Sequence, residues 1–462
     1  MPTNYEDAEE DEIMLEQIRI DDLEDVAFLP DEGGATRAPN SRLKQYAARV
    51  LTRQRDCLWR TIERFRIIIM IVIALAVTLV LMNFVNSEDN TLPERLPDES
   101  IELAQQVIEQ LANTTIPPFA LTYAPIVILD REETYFPSDL STHLQNTHPT
   151  YNFTPTPDTF YPLNLSNLDQ LNNFNGGDVY LSSREPIVSL PVWLRGQKPE
   201  ESSLRTENAT NCVIVVVEKE LERNETLNKH LNVVDVFYLY FYSFNDGPRG
   251  LGRQVGNHIG DWEHSMIRFT DGIPTAIWYS QHGFGAAYTY DAVQKIGKRP
   301  VAFSARGSHS NWPEALAHDF HGIDERIPSH LAFDYTSRGS IWDPTLSALF
   351  YTFNNTQPSL SPGSNPSSAE SGIYTPAFPT QPTGFLYFNG QWGDQQLRIE
   401  DKGQEEIYGF FKWAGGPKGI GWGDKVMSRD KVCPDTTIPD APNESNTSDK
   451  TAVRECIIRG SI

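Results

Sequence analysis

Three side chains able to bind a cation or move a proton fall close together in the run Asn257–Phe269, NHIGDWEHSMIRF: His258, Asp261 and Glu263. In a strand, alternate side chains share a face. A strand beginning near Gly260 therefore projects Asp261 and Glu263 on one side, with Trp262 and His264 on the other. His258 sits in a turn flanked by Gly256 and Gly260 and can fold back over the carboxylate face, so that the three converge. Two carboxylates and one imidazole suit a hard or borderline divalent cation such as Ca2+, Mg2+ or Mn2+. Zinc is less favoured, because no thiolate and no second clear histidine joins that face. Adjacent carboxylates repel, and one takes up a proton unless a positive charge lies nearby. The alternative is a salt-bridge network in which Arg306, Arg268 or Arg253 neutralises the acids while Trp262 packs in the core.

Two further runs could carry chemistry. YSQHGFG holds His282, and ARGSHSNWP holds Arg306, Ser308 and His309. These four are candidate binding residues; the other reading is ordinary turns whose histidine rings bond to backbone. A Ser308–His282–Asp261 hydrolase triad is disfavoured, because G-x-S-x-G is absent and RGSH does not place its serine at a strand-to-helix elbow. Glycosidase chemistry needs two acids on opposite sides of a bond, roughly 5–10 Å apart. Asp261 and Glu263, side by side, supply at most one partner. The Gly-rich run KWAGGPKGIGWGDK (412–425) lacks the phosphate-loop pattern and suits tight turns.

Strands must position these residues. LTYAPIVILD (121–130) opens a β-like series that continues at 179–194, 211–221, 233–244, 263–269, 275–282, 299–309 and 383–394. Several of these alternate apolar and polar residues, with Gly, Pro, Asn and Asp between them. The series predicts a mainly β fold, an antiparallel β-sandwich or jelly-roll-like domain over 121–434, interrupted by a Ser/Pro/Asn-rich insertion at 351–376. Residues 86–120 read as a stalk with a helix over 101–112, and 435–462 as a C-terminal tail.

Charge is distributed unevenly. Residues 1–36 carry −12, residues 37–66 carry +7, and the remainder −19, for a net −24. No basic stripe exists to neutralise phosphates, so nucleic acid is excluded as a partner. Residues 67–85, IIIMIVIALAVTLVLMNFV, hold no charge and are long enough to span a hydrocarbon core of roughly 30 Å as a transmembrane helix. Arg53, Arg55, Arg60, Arg64 and Arg66 precede this segment; Glu88, Asp89 and Glu94 follow it. The positive-inside tendency then puts residues 1–66, read as a disordered tail, in the cytosol. EDEIMLEQ within that tail loosely resembles an acidic dileucine sorting signal.

Glycosylation signals agree with this orientation. Sequons begin at Asn113, Asn152, Asn164, Asn208, Asn224, Asn354, Asn443 and Asn446, all after the span and none before it. The expectation is a type II single-pass membrane protein with a large lumenal domain. Cys57 is cytosolic and close to the membrane, where an inert thiol and palmitoylation are both open. Cys212, Cys433 and Cys456 face an oxidising lumen. Three cannot all pair within one chain. Cys433 with Cys456 is the favoured bridge, since both lie near the C-terminus, and Cys212 is expected buried and reduced.

The runs APIVILDREETYFPSD, HIGDWEHSMIRF, YSQHGFG, RPVAFSARGSHSNWP and GGPKG…KVCP together resemble the vacuolar protein sorting-associated protein 62 family of fungi and its plant relatives. They occur in order from about 121 to 434. The resemblance implies a membrane-linked protein of the vacuolar or endosomal system concerned with sorting, with no established catalytic activity. A more distant similarity is to the necrosis- and ethylene-inducing protein family, whose motif is G-H-R-H-D-W-E. Those β-sandwich proteins bind a divalent cation and recognise sphingolipid head groups. His258, Asp261, Trp262 and Glu263 match that motif; Ile259 and Gly260 stand where it has arginine and its second histidine. Three functions follow as expectations: a sorting protein whose lumenal domain binds cargo, glycan or glycolipid through an ion-organised loop; a metal-dependent lumenal hydrolase; or a structural membrane glycoprotein.

Overall fold

The chain divides into two compact units, Met1–Asn86 and Ser87–Ile462. The computed structural model describes scattered residues between 49 and 77. From 91 onward it describes all residues except 158–161, 175, 220–221, 225–228, 251–252, 320–328, 357–371, 408 and 435–455. In the first unit, residues 68–75 are helical and their large apolar side chains are exposed. Among the described residues no helix is long and apolar enough to cross a membrane. The expected span, 67–85, lies partly outside them; the acidic tail and Cys57 lie outside altogether.

The second unit is mainly β. It opens with helix α1 (Asp98–Leu111), which starts behind Pro97 with Asp98 and Glu99 in its first turn, where negative charge complements the helix dipole. Leu111, Ile116 and Ala120 are buried, so the end of the expected stalk is part of the core. The strands that matter here, in chain order, are β1 (Ile126–Leu129), β2 (Thr147–Tyr151), which follows directly on helix α2 (Leu140–Asn146), and β3 (Tyr180–Ser183). Then come β4 (Cys212–Glu218), β5 (Val233–Asn245), β6 (His258–Thr270), β7 (Ile273–Gln281) and β8 (Phe284–Thr289). The last group is β9 (Lys295–Ile296), β10 (Arg299–Ser304), β11 (Asn311–Trp312), β12 (Phe333–Tyr335), β13 (Ile341–Trp342), β14 (Ala348–Asn354), β15 (Ile373–Pro376) and β16 (Ile458–Arg459).

An eight-stranded sheet runs β15-β14-β4-β5-β6-β7-β8-β16, and a five-stranded sheet runs β9-β10-β1-β13 with β11 also paired to β10. The long central strands β5 and β6 are antiparallel, with Tyr242 opposite Asp261 and Tyr240 opposite Glu263. All of β5 is buried, which is why it reads as a nearly unbroken apolar and aromatic run. One face of the large sheet packs Phe237, Leu239, Phe241, Trp262 and Met266 against irregular segments that carry Leu168, Phe385 and Trp392. The other face packs Val236, Tyr238, Tyr240 and Tyr242 against Val127, Leu129, Ala302 and Trp342 of the smaller sheet.

The sheets are mixed rather than purely antiparallel. β4 pairs with β14, β1 with β10, and β8 with β16 in parallel. Parallel partners need long connections, and these pairs are far apart in sequence. Two expected strands are also shorter or absent. Within 179–194 only β3 forms, because Pro186 and Pro191 lead into 3-10 turns. Residues 383–394 form a 3-10 turn and irregular backbone, burying Phe385, Leu386, Phe388 and Trp392. A short apolar run reports burial, and that is all it reports.

Cys433 and Cys456 are joined as a disulfide, and Cys212 is a free, buried thiol. The asparagines of five sequons, Asn113, Asn152, Asn164, Asn208 and Asn354, are exposed. The Asn224 side chain, Asn443 and Asn446 lie outside the described residues, as does most of the 351–376 insertion.

Candidate functional site

The polar residues between the two sheets gather on one loop, Gly307–Asn311, the sequence GSHSN. Each of its five residues is tied to an acid, directly or through one serine. Gly307 N donates to Glu133 Oε2 at 2.7 Å. Ser308 Oγ donates to Asp334 Oδ1 at 2.7 Å. His309 Nδ1 lies 2.8 Å from Asp261 Oδ2. Ser310 Oγ donates to Asp334 Oδ2 at 2.5 Å. Asn311 Nδ2 donates to Ser280 Oγ at 3.3 Å, and Ser280 Oγ in turn donates to Glu263 Oε2.

Three separate pieces of chain supply these four acids. Glu133 follows β1, Asp261 and Glu263 lie in β6, and Asp334 lies in β12. The loop reaches all four because its backbone turns sharply: φ is +75° at Gly307 and +56° at His309. A Cβ at Gly307 would collide with the Asp246 carbonyl, so glycine is required there. The left-handed conformation costs energy at His309, and two ring bonds hold it in place.

His309 is the centre of charge. Its Nε2 lies 2.8 Å from Tyr135 O, an atom that can only accept, so this nitrogen carries a hydrogen. Its Nδ1 faces a carboxylate, and a second hydrogen there makes the ring an imidazolium. Burial opposes that charge, but the Asp261 hydrogen bond and the Glu133 and Asp261 charges prevail and raise the pKa. Nε2 is also 3.9 Å from Glu133 Oε1. The ring stacks on Tyr242 with centroids 3.7 Å apart and planes 4° apart.

The neighbouring acids differ in protonation. Burial, and then the Asp261 charge, push the Glu263 pKa well above the ordinary carboxylate range, against the Ser280 hydrogen bond. Burial also raises Glu133, opposed by His309 and by the N–H groups of Gly307, Tyr135 and Thr134. At Asp334 burial acts upward too, but the His282 charge and the bonds from His282, Ser310 and Ser308 bring its pKa below the usual value. His282 Nε2 lies 2.9 Å from Asp334 Oδ2, and although burial works against its charge, the Asp334 charge and bond raise the His282 pKa.

The expected ligand trio is not assembled in this form. Asp261 and Glu263 do share a face, but His258 Nδ1 is 2.7 Å from Gly260 O, its own strand's backbone. Gly260 at φ +70° bends the strand there, and a Cβ would strike the Trp392 carbonyl. Among the described residues no group of three or more His, Cys, Asp or Glu is arranged to hold a metal ion. Nor do the named arginines reach the pair. Arg268 forks onto Asp235 with two contacts of 2.8 Å, Arg306 pairs with Glu132, and Arg253 lies 3.6 Å from Glu405. Asp261 has His309 as its partner at 2.8 Å, and burial with the Asp261 charge favours the protonated form of Glu263.

A nucleophile triad is not formed either. Ser308 and His282 both bond to Asp334, so the serine hydrogen goes to the carboxylate and the imidazole does not take it. Sequence reasoning missed Glu133, Asp334 and Ser280. Glu133 stood in the quoted run DREETYF, whereas Asp334, in FDY, had no motif around it.

The molecule is thus a β-sheet protein with a buried histidine–carboxylate network clamped between two mixed sheets. The chain belongs to the vacuolar protein sorting-associated protein 62 family. The model of that family, described as Vacuolar protein sorting-associated protein 62, matches residues 250–324, which contain β6, β7, β10 and the GSHSN loop. Vacuolar protein sorting-associated protein 62 of Saccharomyces cerevisiae is 30% identical over 343 residues, 69% of this chain and 68% of its own. TDA6 of the same yeast, which also bears a vacuolar protein sorting-associated name, is 33% identical over 338 residues, 66% of each chain. The aligned stretch thus spans about two thirds of these relatives. A solved structure described as a toxin fold for microbial attack and plant defense aligns over 55% of this chain and 79% of its own at 10% identity, with a TM-score of 0.19, too low to carry a structural argument.

Proposed function

We propose that this protein serves vacuolar protein sorting as a type II single-pass membrane glycoprotein of the vacuolar or endosomal membrane. Its lumenal β domain binds cargo, a glycan or a glycolipid. The observation that carries the reading is membership of a family whose curated yeast members bear vacuolar sorting names. The charge order along residues 1–66, the uncharged run 67–85 and the one-sided sequons support the topology. The exposed apolar side chains of the helical residues 68–75 agree with a lipid-facing segment.

Within that reading the GSHSN loop is ordered by His309 rather than by a divalent cation, since Asp261 already has its counter-charge at 2.8 Å. The experiment is deletion of the gene followed by assay of a soluble vacuolar hydrolase in the growth medium. Secretion of the hydrolase is the expected result, restored by the wild-type chain. Normal retention of several such hydrolases would remove the sorting role. Removal of N-glycans should shift the protein's gel mobility, and an unshifted band would overturn the lumenal placement. Turnover of an ester or glycoside library that is abolished by Asp261→Asn would instead favour the hydrolase reading.

A further inference from the structure

A cavity of about 140 Å3 lies away from the GSHSN loop, where α2 runs directly into β2. Its walls include Leu144, Leu163, Leu181 and Pro149, and among the described residues no acidic side chain lines it. Two basic side chains do: His148 from β2 and Arg184, just past the end of β3. The strands bring them together, because His148 stands opposite Ser182 in the β2–β3 register, two residues before Arg184.

Arg184 is anchored without being neutralised. Its Nε donates to Gln145 O at 3.0 Å and its backbone N to Asn146 O at 2.9 Å. Among the described residues the guanidinium forms no ion pair. His148 Nδ1 is buried and has no hydrogen-bond partner. Burial first, and the Arg184 charge second, hold the His148 pKa below its ordinary value, against a backbone hydrogen bond with Ser182. In a chain of net charge −24, an arginine without a carboxylate in the cavity it lines calls for an anion from outside, and the unpartnered His148 nitrogen offers a second, neutral donor. Size points to a small one, since a cavity of about 150 Å3 admits benzene.

We propose that this cavity binds a small carboxylate with a short apolar tail. The carboxylate lies against the Arg184 guanidinium, whose planar donors match its two oxygens, and within reach of His148 Nδ1. The tail packs on Leu144, Leu163 and Leu181. The inference stands independently of the sorting role.

The test is calorimetric titration of the purified full-length chain with butyrate, and with butyramide as a neutral isostere. The expected result is saturable butyrate binding, at least tenfold weaker butyramide binding, and at least tenfold weaker butyrate binding in Arg184→Gln and in His148→Gln. Arg184 is exposed, so its variant is expected to fold, and an unchanged melting temperature verifies this. No saturable butyrate binding would overturn the proposal. So would equal binding of butyramide, which would show an apolar cavity only, or undiminished binding in a folded Arg184→Gln.

Discussion

The two faces of β6 treat the same residue type in opposite ways. On one face Asp261 and Glu263 look into the space between the sheets, and Asp261 holds His309 as an imidazolium. On the other face His264 is equally buried, stacked on Phe237, with no hydrogen-bond partner at either ring nitrogen. Burial lowers its pKa to about 3, although Asp424 acts the other way from 3.7 Å. His143, ringed by Trp193, Phe241 and Trp392, is likewise lowered to about 3 by burial. Depth therefore does not decide the charge of a histidine here. A close carboxylate does: His309 Nδ1 has Asp261 at 2.8 Å, whereas His143 meets only the Trp392 carbonyl at 2.9 Å and the Ser243 hydroxyl at 3.1 Å, and His264 has Asp424 no nearer than 3.7 Å.

The largest expected effect comes from breaking the charged face. His309→Leu leaves Asp261 buried without its cation and is expected to cost about 3–5 kcal/mol, as does removal of one partner from other buried pairs. Urea unfolding at pH 5.5 measures this, and the double variant with Asp261→Leu should recover part of the loss. A loss below about 1 kcal/mol would mean that the pair is not an ion pair. Trp262 stands next to Asp261 in sequence, 4.8 Å from Phe241 and 5.3 Å from Trp392 between ring centroids. Trp262→Ala should cost a similar amount, about 3–5 kcal/mol, through cavity formation alone and with no pH dependence.

The neutral face is tested with acid. His264 has a folded pKa below its unfolded value, so the unfolded chain binds a proton that the folded chain refuses. Stability is then lost as pH falls below about 6.5. At pH 4.5, some two pH units further down, this amounts to about 3 kcal/mol. His264→Phe should remove that loss, leaving the slope due to the other lowered histidines, His143 and His318 among them, and a thermal melting series from pH 7 to 4 shows it. An unchanged acid slope would place a proton on His264 in the folded state and end the contrast between the faces.

His282 has the opposite sign and a smaller weight. Its folded pKa is raised by Asp334, so its contribution is complete below about 6.5 and fades as pH rises through the folded value. His282→Gln should cost about 1.5–2 kcal/mol at pH 5.5, as for a hydrogen bond to a charged group, and almost nothing at pH 9. Equal losses at both values would assign His282 a packing role only.

How far these faces were legible in the letters differs element by element. The alternation at Asp261–His264 was readable, because a strand repeats every two residues; its start was not, since the strand begins at His258, which the glycines on either side had suggested lay in a turn. The series of strands announced a β fold, and the late position of Cys433 and Cys456 pointed to their pairing. Cross-chain partners were not readable. Glu133, Ser280 and Asp334 join His309, Asn311 and Ser308 only after β1, β7, β10 and β12 come together, and no local period reports that. The arginines named as neutralisers were credible by charge alone. Arg268 is instead spent on Asp235, which stands directly opposite it in the β5–β6 register.

The smallest effect separates the two carboxylates of the charged face. If Glu263 carries a proton in the folded chain, Glu263→Gln exchanges one neutral group for another of nearly the same shape. The expected cost at pH 5 is below about 1 kcal/mol, the scale of one adjusted neutral hydrogen bond to Ser280. The sign then changes with pH. A raised folded pKa gives stability that is complete below the ordinary glutamate value and is lost as pH rises through the folded one, so the glutamine variant should overtake the wild type in alkali. Asp261→Asn should instead be harmful at pH 5, because it strips His309 of its counter-charge. A divalent ion held by both acids predicts a different outcome: the two amide variants would be equally damaging, and added Ca2+ would raise the wild-type melting temperature. Melting curves of both variants with and without Ca2+, at pH 5 and pH 8.5, decide between a protonated glutamate and a shared cation.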